Sequence, residues 1–372
     1  MRSDLLDYIK EWGDQDFSER PFSEIDAIVL TQAAYLNYDG ILPGIGTEKM
    51  TLEQIAAHPD AEHMFSDPVY GGTYRELWAL LLESRRFSRM ALGCFVNHVD
   101  LDQEHQFCGM VFYLPGITLL SSHEAEKTFA ALPFASIFVA FRGTDSSLIG
   151  WKENFNMACM RQIPSQTEAA CYLEQIGALT EGPVLIGGHS KGGNLSVYSS
   201  ACANPALQER IQRIYNLDGP GFWPTFYRNT GYSAIEGKIC KLIPESSLIG
   251  LLFSISGSCQ TVRSHFAGIA QHDPLSWVIR DGQLAAHTGI ARKAYLRAQR
   301  VNRLIRSIPY TQRKNFVADS YELVTATDAG DIYTLMEHPL QSMRTMGRTI
   351  RHWEKGRRKN YRKIFRKLQQ AI

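Results

Sequence analysis

Little in the 372-residue sequence is typical of an exported, membrane-spanning or disulfide-bonded protein. No charged segment precedes an apolar one at its start, and no later run reaches the roughly 18 apolar residues that a membrane span needs. The seven cysteines are scattered, odd in number and without a CxxC pair, which argues against a disulfide framework or a zinc site. We therefore expect a soluble cytoplasmic protein, at most peripheral at a membrane, with no cofactor or metal.

The chain also lacks internal repeats, low-complexity tracts and a Pro/Gly/Ser-rich linker, so one core with extensions is expected. Its apolar content of 44% is ample for a large buried core. The net charge is only +1, yet the end of the chain is strongly basic, so the remainder is mildly acidic. We predict a helical lead-in over residues 1–90, an α/β core over 91–287, and a helical, basic appendage over 288–372.

Short apolar and β-branched runs begin at Leu92, and from Phe141 onward strand-like and helix-like segments alternate. Alternation at this spacing predicts a mostly parallel sheet flanked by helices on both faces. The predicted strands are Leu92–Val96, Met110–Leu114, Ile137–Phe141, Val184–Gly188, Arg213–Leu217 and Ile239–Ile243.

A G-x-S-x-G motif stands between the strand ending at Gly188 and a helix that begins near Gly192. This context is typical of the nucleophile elbow of α/β-hydrolases, with Ser190 exposed on a strained turn. The two glycines leave room for the neighbouring strand and helix, and the backbone N–H of Lys191 points toward a developing oxyanion. The side chain of His189 leaves the elbow in another direction, so we interpret it as a packing residue.

An earlier apolar strand ends in Arg142-Gly-Thr144. Thr144 is therefore expected at the carboxyl edge of the sheet, where ligands bind in open α/β folds, and its N–H and hydroxyl could face an oxyanion. The Arg142 side chain is expected to form a structural ion pair that holds the loop.

Phe-Arg-Gly-Thr144, the following Trp151 and the Gly-His-Ser-x-Gly-Gly elbow together resemble the class 3 lipases. The resemblance implies that Thr144 supplies the second oxyanion donor. Further motifs are similar to those of the Mbeg1-like (DUF2974) family of bacterial α/β-hydrolases, over about residues 20–280. They are Phe22-Ser-Glu-Ile-Asp26, Ala34-Tyr-Leu36, Gly188–Asn194, Leu217-Asp-Gly-Pro-Gly-Phe222, Ile243–Gly250 and Gln271–Trp277. Membership implies a hydrolase and indicates no substrate.

The base and acid of a triad should follow the nucleophile in the order acid, then histidine. His272 is the favoured base because it lies in a turn after the last strand-like run and matches the family motif, with His265 as the alternative. Two carboxylates could orient it: Glu245, favoured by its position after the later strand and by the resemblance to class 3 lipases, and Asp218, whose Asp-Gly-Pro-Gly turn gives it a structural alternative.

The basic tail places Tyr361, Ile364, Phe365, Leu368 and Ile372 on one helical face. Basic residues fill the rest of the helix: Arg357, Arg358, Lys359, Arg362, Lys363, Arg366 and Lys367. Such a helix could lie on an anionic membrane or dock on its own protein. No motif reads nucleic-acid bases, so no specific nucleic-acid partner is expected.

These features predict a serine hydrolase that cleaves a small-molecule or lipid ester, or a thioester, through an acyl-enzyme on Ser190. A catalytically idle α/β-hydrolase scaffold that binds a membrane surface or a protein is the alternative, because a fold alone does not establish a function.

Overall fold

An eight-stranded sheet forms the centre of the computed structural model, which describes residues 3–115, 118–120, 129–131, 136–145, 147–253, 257–327, 329 and 331–372. The strands are β1 (Lys49–Thr51), β2 (Ala91–Asp100), β3 (His105–Leu114), β4 (Thr118–Leu120), β5 (Phe129–Ala131), β6 (Ser136–Phe141), β7 (Val184–His189), β8 (Ile211–Leu217), β9 (Ile239–Pro244), β10 (Gln260–Val262), β11 (Ile279–Arg280) and β12 (Gln283–Leu284).

Helices cover the sheet and extend beyond it at the end of the chain. They are α1 (Leu5–Trp12), α2 (Glu24–Ala33), α3 (Leu52–Ala56), α4 (Gly71–Glu83), α5 (Leu148–Asn156), α6 (Pro164–Leu179), α7 (Lys191–Cys202), α8 (Pro205–Arg210), α9 (Thr230–Ile235), α10 (Arg292–Ser307), α11 (Tyr310–Thr325), α12 (Ile332–Glu337), α13 (Pro339–His352) and α14 (Lys355–Ala371).

The strand order of the sheet is β1-β2-β3-β6-β7-β8-β9-β10. The pairs from β6 to β10 are parallel, whereas β1, β2, β3 and β6 pair antiparallel. The crossovers between the parallel strands carry α5 to α9. This topology confirms the predicted α/β-hydrolase fold, with a mostly parallel sheet flanked by helices.

Both faces of the central strands are buried, which explains why β6 and β7 are apolar without alternation. Phe138 and Leu185 point to the core shared with the N-terminal helices, whereas Val139 and Ile186 point to the core shared with α6 and α7. The sheet therefore holds the carboxyl ends of β6, β7 and β8 in a fixed arrangement.

The N-terminal helices form the second layer over one face of the sheet. Helix α2 is buried along almost its whole length and contacts β6, β7 and β8. The guanidinium of Arg86 donates to both oxygens of Asp26 at 2.7 Å, in a pair that solvent does not reach. The lead-in thus shares a core with the sheet, while the predicted division at residues 90 and 287 stays a prediction.

The last helices pack on one another at the end of the chain. Tyr361 of α14 is buried and stacks on Phe316 of α11 with ring centroids 4.9 Å apart, and Ile364 is also buried. Phe365, on the same helix, stays 42% exposed. Part of the apolar stripe of α14 is therefore in contact with the protein itself. Among the described residues, no helix is both long and apolar enough to cross a membrane.

Candidate active site

Ser190 occupies the sharp turn between β7 and α7 and has φ 57° and ψ −124°. A positive φ at a residue with a side chain costs on the order of 1–3 kcal/mol, so the surrounding contacts must hold this conformation. The Ser190 N–H donates to the carbonyl of Leu217 at 2.9 Å, and its own carbonyl accepts the N–H of Gly193 at 3.0 Å. The turn has the geometry that the motif predicts for an elbow.

The glycines on either side of the turn lie against backbone. A Cβ at Gly192 would be 2.0 Å from the carbonyl oxygen of Phe141, and a Cβ at Gly188 would be 2.3 Å from the carbonyl carbon of Gly192. Backbone cannot move aside as a flexible side chain can, so glycine is required at both positions for steric reasons.

The structure brings His272 and Asp218 together. His272 Nδ1 lies 2.7 Å from Asp218 Oδ2, and Asp218 is fully buried at the end of β8. The other carboxylate oxygen, Oδ1, accepts the hydroxyl of Ser247 at 2.5 Å. A carboxylate held in this way can fix the tautomer of the histidine and stabilise its protonated form.

Glu245, the favoured acid of the sequence analysis, lies elsewhere. Its Oε2 is 2.9 Å from Nε2 of His287, and its Oε1 is 3.5 Å from the amide nitrogen of Gln271, the residue before His272. The prediction favoured Glu245 because it follows the later strand and because of the resemblance to class 3 lipases, whereas in the structure Asp218 contacts the imidazole of His272. His265, the alternative base, has its Nε2 3.4 Å from the carbonyl oxygen of Ser3.

The loop after β6 lies beside the elbow. A Cβ at Gly143 would be 3.4 Å from Ser190 Cβ, so the next residue, Thr144, is close to the nucleophile position. The Thr144 hydroxyl accepts the amide of Asn154 at 2.6 Å. Arg142 donates to Asn97 at 2.9 Å and lies 3.4 Å from Asp145. These contacts hold the loop on which one oxyanion donor was predicted.

Lys191 is the first residue of α7, so no earlier turn of the helix accepts its backbone N–H. Its side chain has a separate role. The ammonium is fully buried and donates to Glu153 Oε2 at 2.8 Å and to the carbonyl and side-chain oxygens of Gln106. Burial lowers the pKa of Lys191, and the charge of Glu153 opposes that shift. The pair ties the elbow to α5 and β3.

His189, which the sequence analysis interpreted as a packing residue, is part of a hydrogen-bonded chain. Its Nε2 lies 2.7 Å from the carbonyl oxygen of His272, and its Nδ1 lies 3.1 Å from the hydroxyl of Tyr35. A carbonyl only accepts, so Nε2 donates and Nδ1 accepts from Tyr35. The Tyr35 oxygen in turn accepts the backbone N–H of Gly143. The chain therefore links the loop after β6 to the backbone of His272.

Burial fixes the protonation states in this chain. It raises the pKa of the Tyr35 phenol, which stays a donor. Burial, and then the nearby His272, hold the pKa of His189 well below its ordinary value, so its ring stays neutral. Neither role could be identified from the sequence, because Tyr35 lies 154 residues from His189.

A buried lysine lies behind the acid. Lys241 Nζ donates to the carbonyl of Gly219 at 2.8 Å, next to Asp218. Burial lowers the pKa of Lys241 to about 8, and the charge of Asp218 opposes that shift. Asp218 thus has a positive charge near it at neutral pH.

A small, shallow cleft borders the first turn of α7. Two of its lining residues, Gln166 and Gly221, hydrogen-bond to Asn194 of that turn. Its apolar lining residues are Met157, Met160, Ile163, Phe222, Trp223 and Phe253. The cleft offers an apolar surface beside the elbow helix.

The chain was compared with known families, solved structures and curated proteins. A sequence model of the Mbeg1-like family matches residues 81–322. A crystal structure of M37 lipase is similar at 13% identity over 62% of this chain and 69% of that one, with a TM-score of 0.36. No curated protein matches the chain.

Proposed function

The chain belongs to the Mbeg1-like family, and on that premise we propose that it is a serine hydrolase cleaving carboxylic esters or thioesters. Ser190 is the nucleophile, His272 the general base and acid, and Asp218 the residue that orients His272. The observation that carries the proposal is the 2.7 Å contact between His272 Nδ1 and the buried Asp218, at the same sheet edge as the strained Ser190. Glu245 has no part in this triad.

In the first half-reaction, Ser190 Oγ attacks the acyl carbon while His272 Nε2 takes the hydroxyl proton. The carbonyl oxygen becomes an oxyanion, which the backbone N–H groups of Lys191 and Thr144 stabilise at the start of α7. Collapse breaks the bond to the leaving alkoxide or thiolate, and His272 returns the proton to it. The products are an alcohol or thiol and acyl-Ser190.

In the second half-reaction, water attacks the acyl carbon and gives a proton to His272. The tetrahedral intermediate collapses, Ser190 regains that proton, and a carboxylic acid leaves. Asp218 accepts the Nδ1–H throughout and stabilises the imidazolium that forms in both steps. Neither half-reaction oxidises or reduces a group, so the proposed mechanism needs no cofactor.

The cleft beside α7 supports an apolar acyl group in the substrate. Its aromatic and methionine side chains offer nonpolar surface that an acyl chain could contact, with Arg161 and Gln166 as polar lining residues. Replacing Trp223 by Ala should therefore reduce kcat/KM for a medium-chain ester more than for an acetate ester.

A fluorophosphonate probe tests the proposal directly. Wild-type protein should be labelled at Ser190, Ser190→Ala should not, and Ser233→Ala, at an exposed serine of α9, should be labelled like the wild type. Ser190→Ala should also lose ester hydrolysis while keeping its unfolding temperature. Folded wild-type protein that neither reacts with the probe nor hydrolyses esters would favour the scaffold alternative.

A further inference from the structure

A second cluster of titratable side chains lies where the β2–β3 hairpin meets α6. His98 is near the end of β2, His105 begins β3, and Glu168 is in α6. The strand register pairs Asp100 with His105, so His98 and His105 are diagonal neighbours on one face of the hairpin. None of the three belongs to the proposed triad or its hydrogen-bond partners.

The potential ligand atoms of these side chains converge. Glu168 Oε2 lies 2.8 Å from His105 Nε2 and 3.2 Å from His98 Nδ1, and all three ligand atoms lie within 4.8 Å of one another. Ligands of a tetrahedral zinc ion, at metal distances near 2 Å, are about 3.3 Å apart. Small side-chain movements would therefore place the three atoms around one ion.

The environment of His105 points to a missing ligand. His105 is only 5% exposed, and its buried Nε2 lies 2.8 Å from Glu168 Oε2 but is poorly aligned with it for a hydrogen bond. A buried polar nitrogen without a well-directed partner is uncommon and needs an explanation. An ion positioned between the two side chains would satisfy its lone pair.

We propose that His98, His105 and Glu168 bind a divalent transition-metal ion, with Zn²⁺ as the ion to test first. Two imidazole nitrogens and one carboxylate oxygen suit zinc and its neighbours, whereas Mg²⁺ and Ca²⁺ prefer oxygen ligands. The side chain of His98 is 50% exposed, so water can reach the ion and complete its coordination. No spacing motif in the sequence indicates this site, because 63 residues separate His105 from Glu168.

The ion would join the tip of the hairpin to α6. The start of this helix is already fixed to the buried pair near the elbow, because the Ser165 N–H donates to Glu153 Oε1 at 2.9 Å. An ion that binds the folded state but not the unfolded state raises the free energy of unfolding. The site is expected to be structural, so its presence does not depend on whether the protein hydrolyses esters.

Calorimetric titration of the full chain with Zn²⁺ tests the proposal, together with thermal unfolding with and without the ion. Thiols are zinc ligands and those of Cys171 and Cys202 are free and exposed, so the parent protein carries Cys171→Ser and Cys202→Ser to remove competing sites. We expect one equivalent of Zn²⁺ to bind and to raise the unfolding temperature.

Glu168→Gln and His98→Asn should each weaken binding more than tenfold and lose the thermal shift, whereas His63→Asn, at an exposed histidine of another element, should retain both. The side chains of Glu168 and His98 are partly exposed, so replacing them should leave the fold intact. An unchanged unfolding temperature in the absence of zinc would verify this. A folded parent protein that binds no Zn²⁺, or folded Glu168→Gln and His98→Asn variants that bind it as the parent does, would overturn the proposal.

Discussion

The ring of His189 bridges Tyr35 and the backbone of His272, with its Nε2 2.7 Å from the His272 carbonyl oxygen. Because His189 directly precedes the proposed nucleophile Ser190, this contact connects the elbow to the backbone of the proposed base, His272. The ring centroids of the two histidines are 4.5 Å apart. The position of the base thus depends on a residue that takes no proton in the proposed mechanism.

Replacing Tyr35 by Phe should lower kcat with little change in KM. The variant removes the donor to His189 Nδ1 and the acceptor of the Gly143 N–H, while it preserves the ring. A loss of about 1–2 kcal/mol of transition-state stabilisation, the usual size of one buried hydrogen bond, corresponds to roughly a 5- to 30-fold slower reaction. Steady-state kinetics on a soluble ester measure the effect. A KM increase at constant kcat would instead place Tyr35 in substrate binding.

The buried, neutral His189 should make the protein sensitive to acid. Its pKa is lowered in the folded state, so below about pH 6.5, the ordinary value for histidine, the unfolded chain binds more protons than the folded one. Stability therefore falls as the pH falls through this window.

Urea unfolding at several pH values should show this in the wild type. His189→Asn, which cannot take up that proton, should have a flatter acid slope, by up to about 1.4 kcal/mol per pH unit. Parallel slopes for the two proteins would show that His189 does not contribute to the acid sensitivity.

Much of the fold could be predicted because its signals are local. The apolar runs over Ile137–Phe141 and Val184–Gly188 match β6 and β7 closely, since strands buried on both faces must be continuously apolar. The elbow could also be predicted, because the two glycines lie within two residues of Ser190 and form a local motif, although the backbone that excludes a Cβ at Gly192 belongs to Phe141. The Mbeg1-like family membership that these motifs suggested was also confirmed.

Local sequence signals could not predict which carboxylate contacts His272. Asp218 and Glu245 both follow strands, and only the path of the chain after β10 decides which of them His272 meets. The contacts of His189 and Lys191 with Tyr35 and Glu153 also join distant segments, and no periodicity indicates such contacts. Long-range polar contacts were therefore the part of the site that the sequence did not reveal.

Asp218→Asn and Glu245→Gln should differ sharply in activity. Neutralising the acid that orients a triad histidine lowers kcat by about 10⁴ when the geometry survives, because the wrong tautomer is favoured. We expect a loss of that order for Asp218→Asn and less than about threefold for Glu245→Gln, which contacts His287 instead. Comparable losses in both variants would mean that Asp218 is not the orienting acid.

The buried pair of Lys191 and Glu153 should be costly to break. Glu153→Gln leaves a buried ammonium without its counter-charge, so the free energy of unfolding should fall by about 3–5 kcal/mol. The double variant Glu153→Leu with Lys191→Met removes both charges and should lose less than Glu153→Gln alone. Denaturant titrations measure both. A double variant that is less stable than the single one would show that the pair stabilises the fold through its hydrogen bonds as well as by neutralising its two charges.

The basic tail has two surfaces that can be tested separately. Tyr361 is packed against Phe316, whereas the basic residues in the second half of α14, Arg362, Lys363, Arg366 and Lys367, are exposed. We propose that these exposed charges attract an anionic membrane surface, while the packed face holds the helix on the protein.

Changing the four basic residues to Glu should abolish sedimentation with phosphatidylserine vesicles at low salt and leave the unfolding temperature within a few degrees of the wild type, because exposed side chains contribute little to stability. Tyr361→Ala should do the reverse: it removes a buried ring and lowers the unfolding temperature, while the variant still binds vesicles below that temperature. Added salt should weaken wild-type binding, because it screens the charges. Wild-type protein that stays in solution with such vesicles at low salt would contradict the membrane proposal, and α14 would then be a structural helix alone.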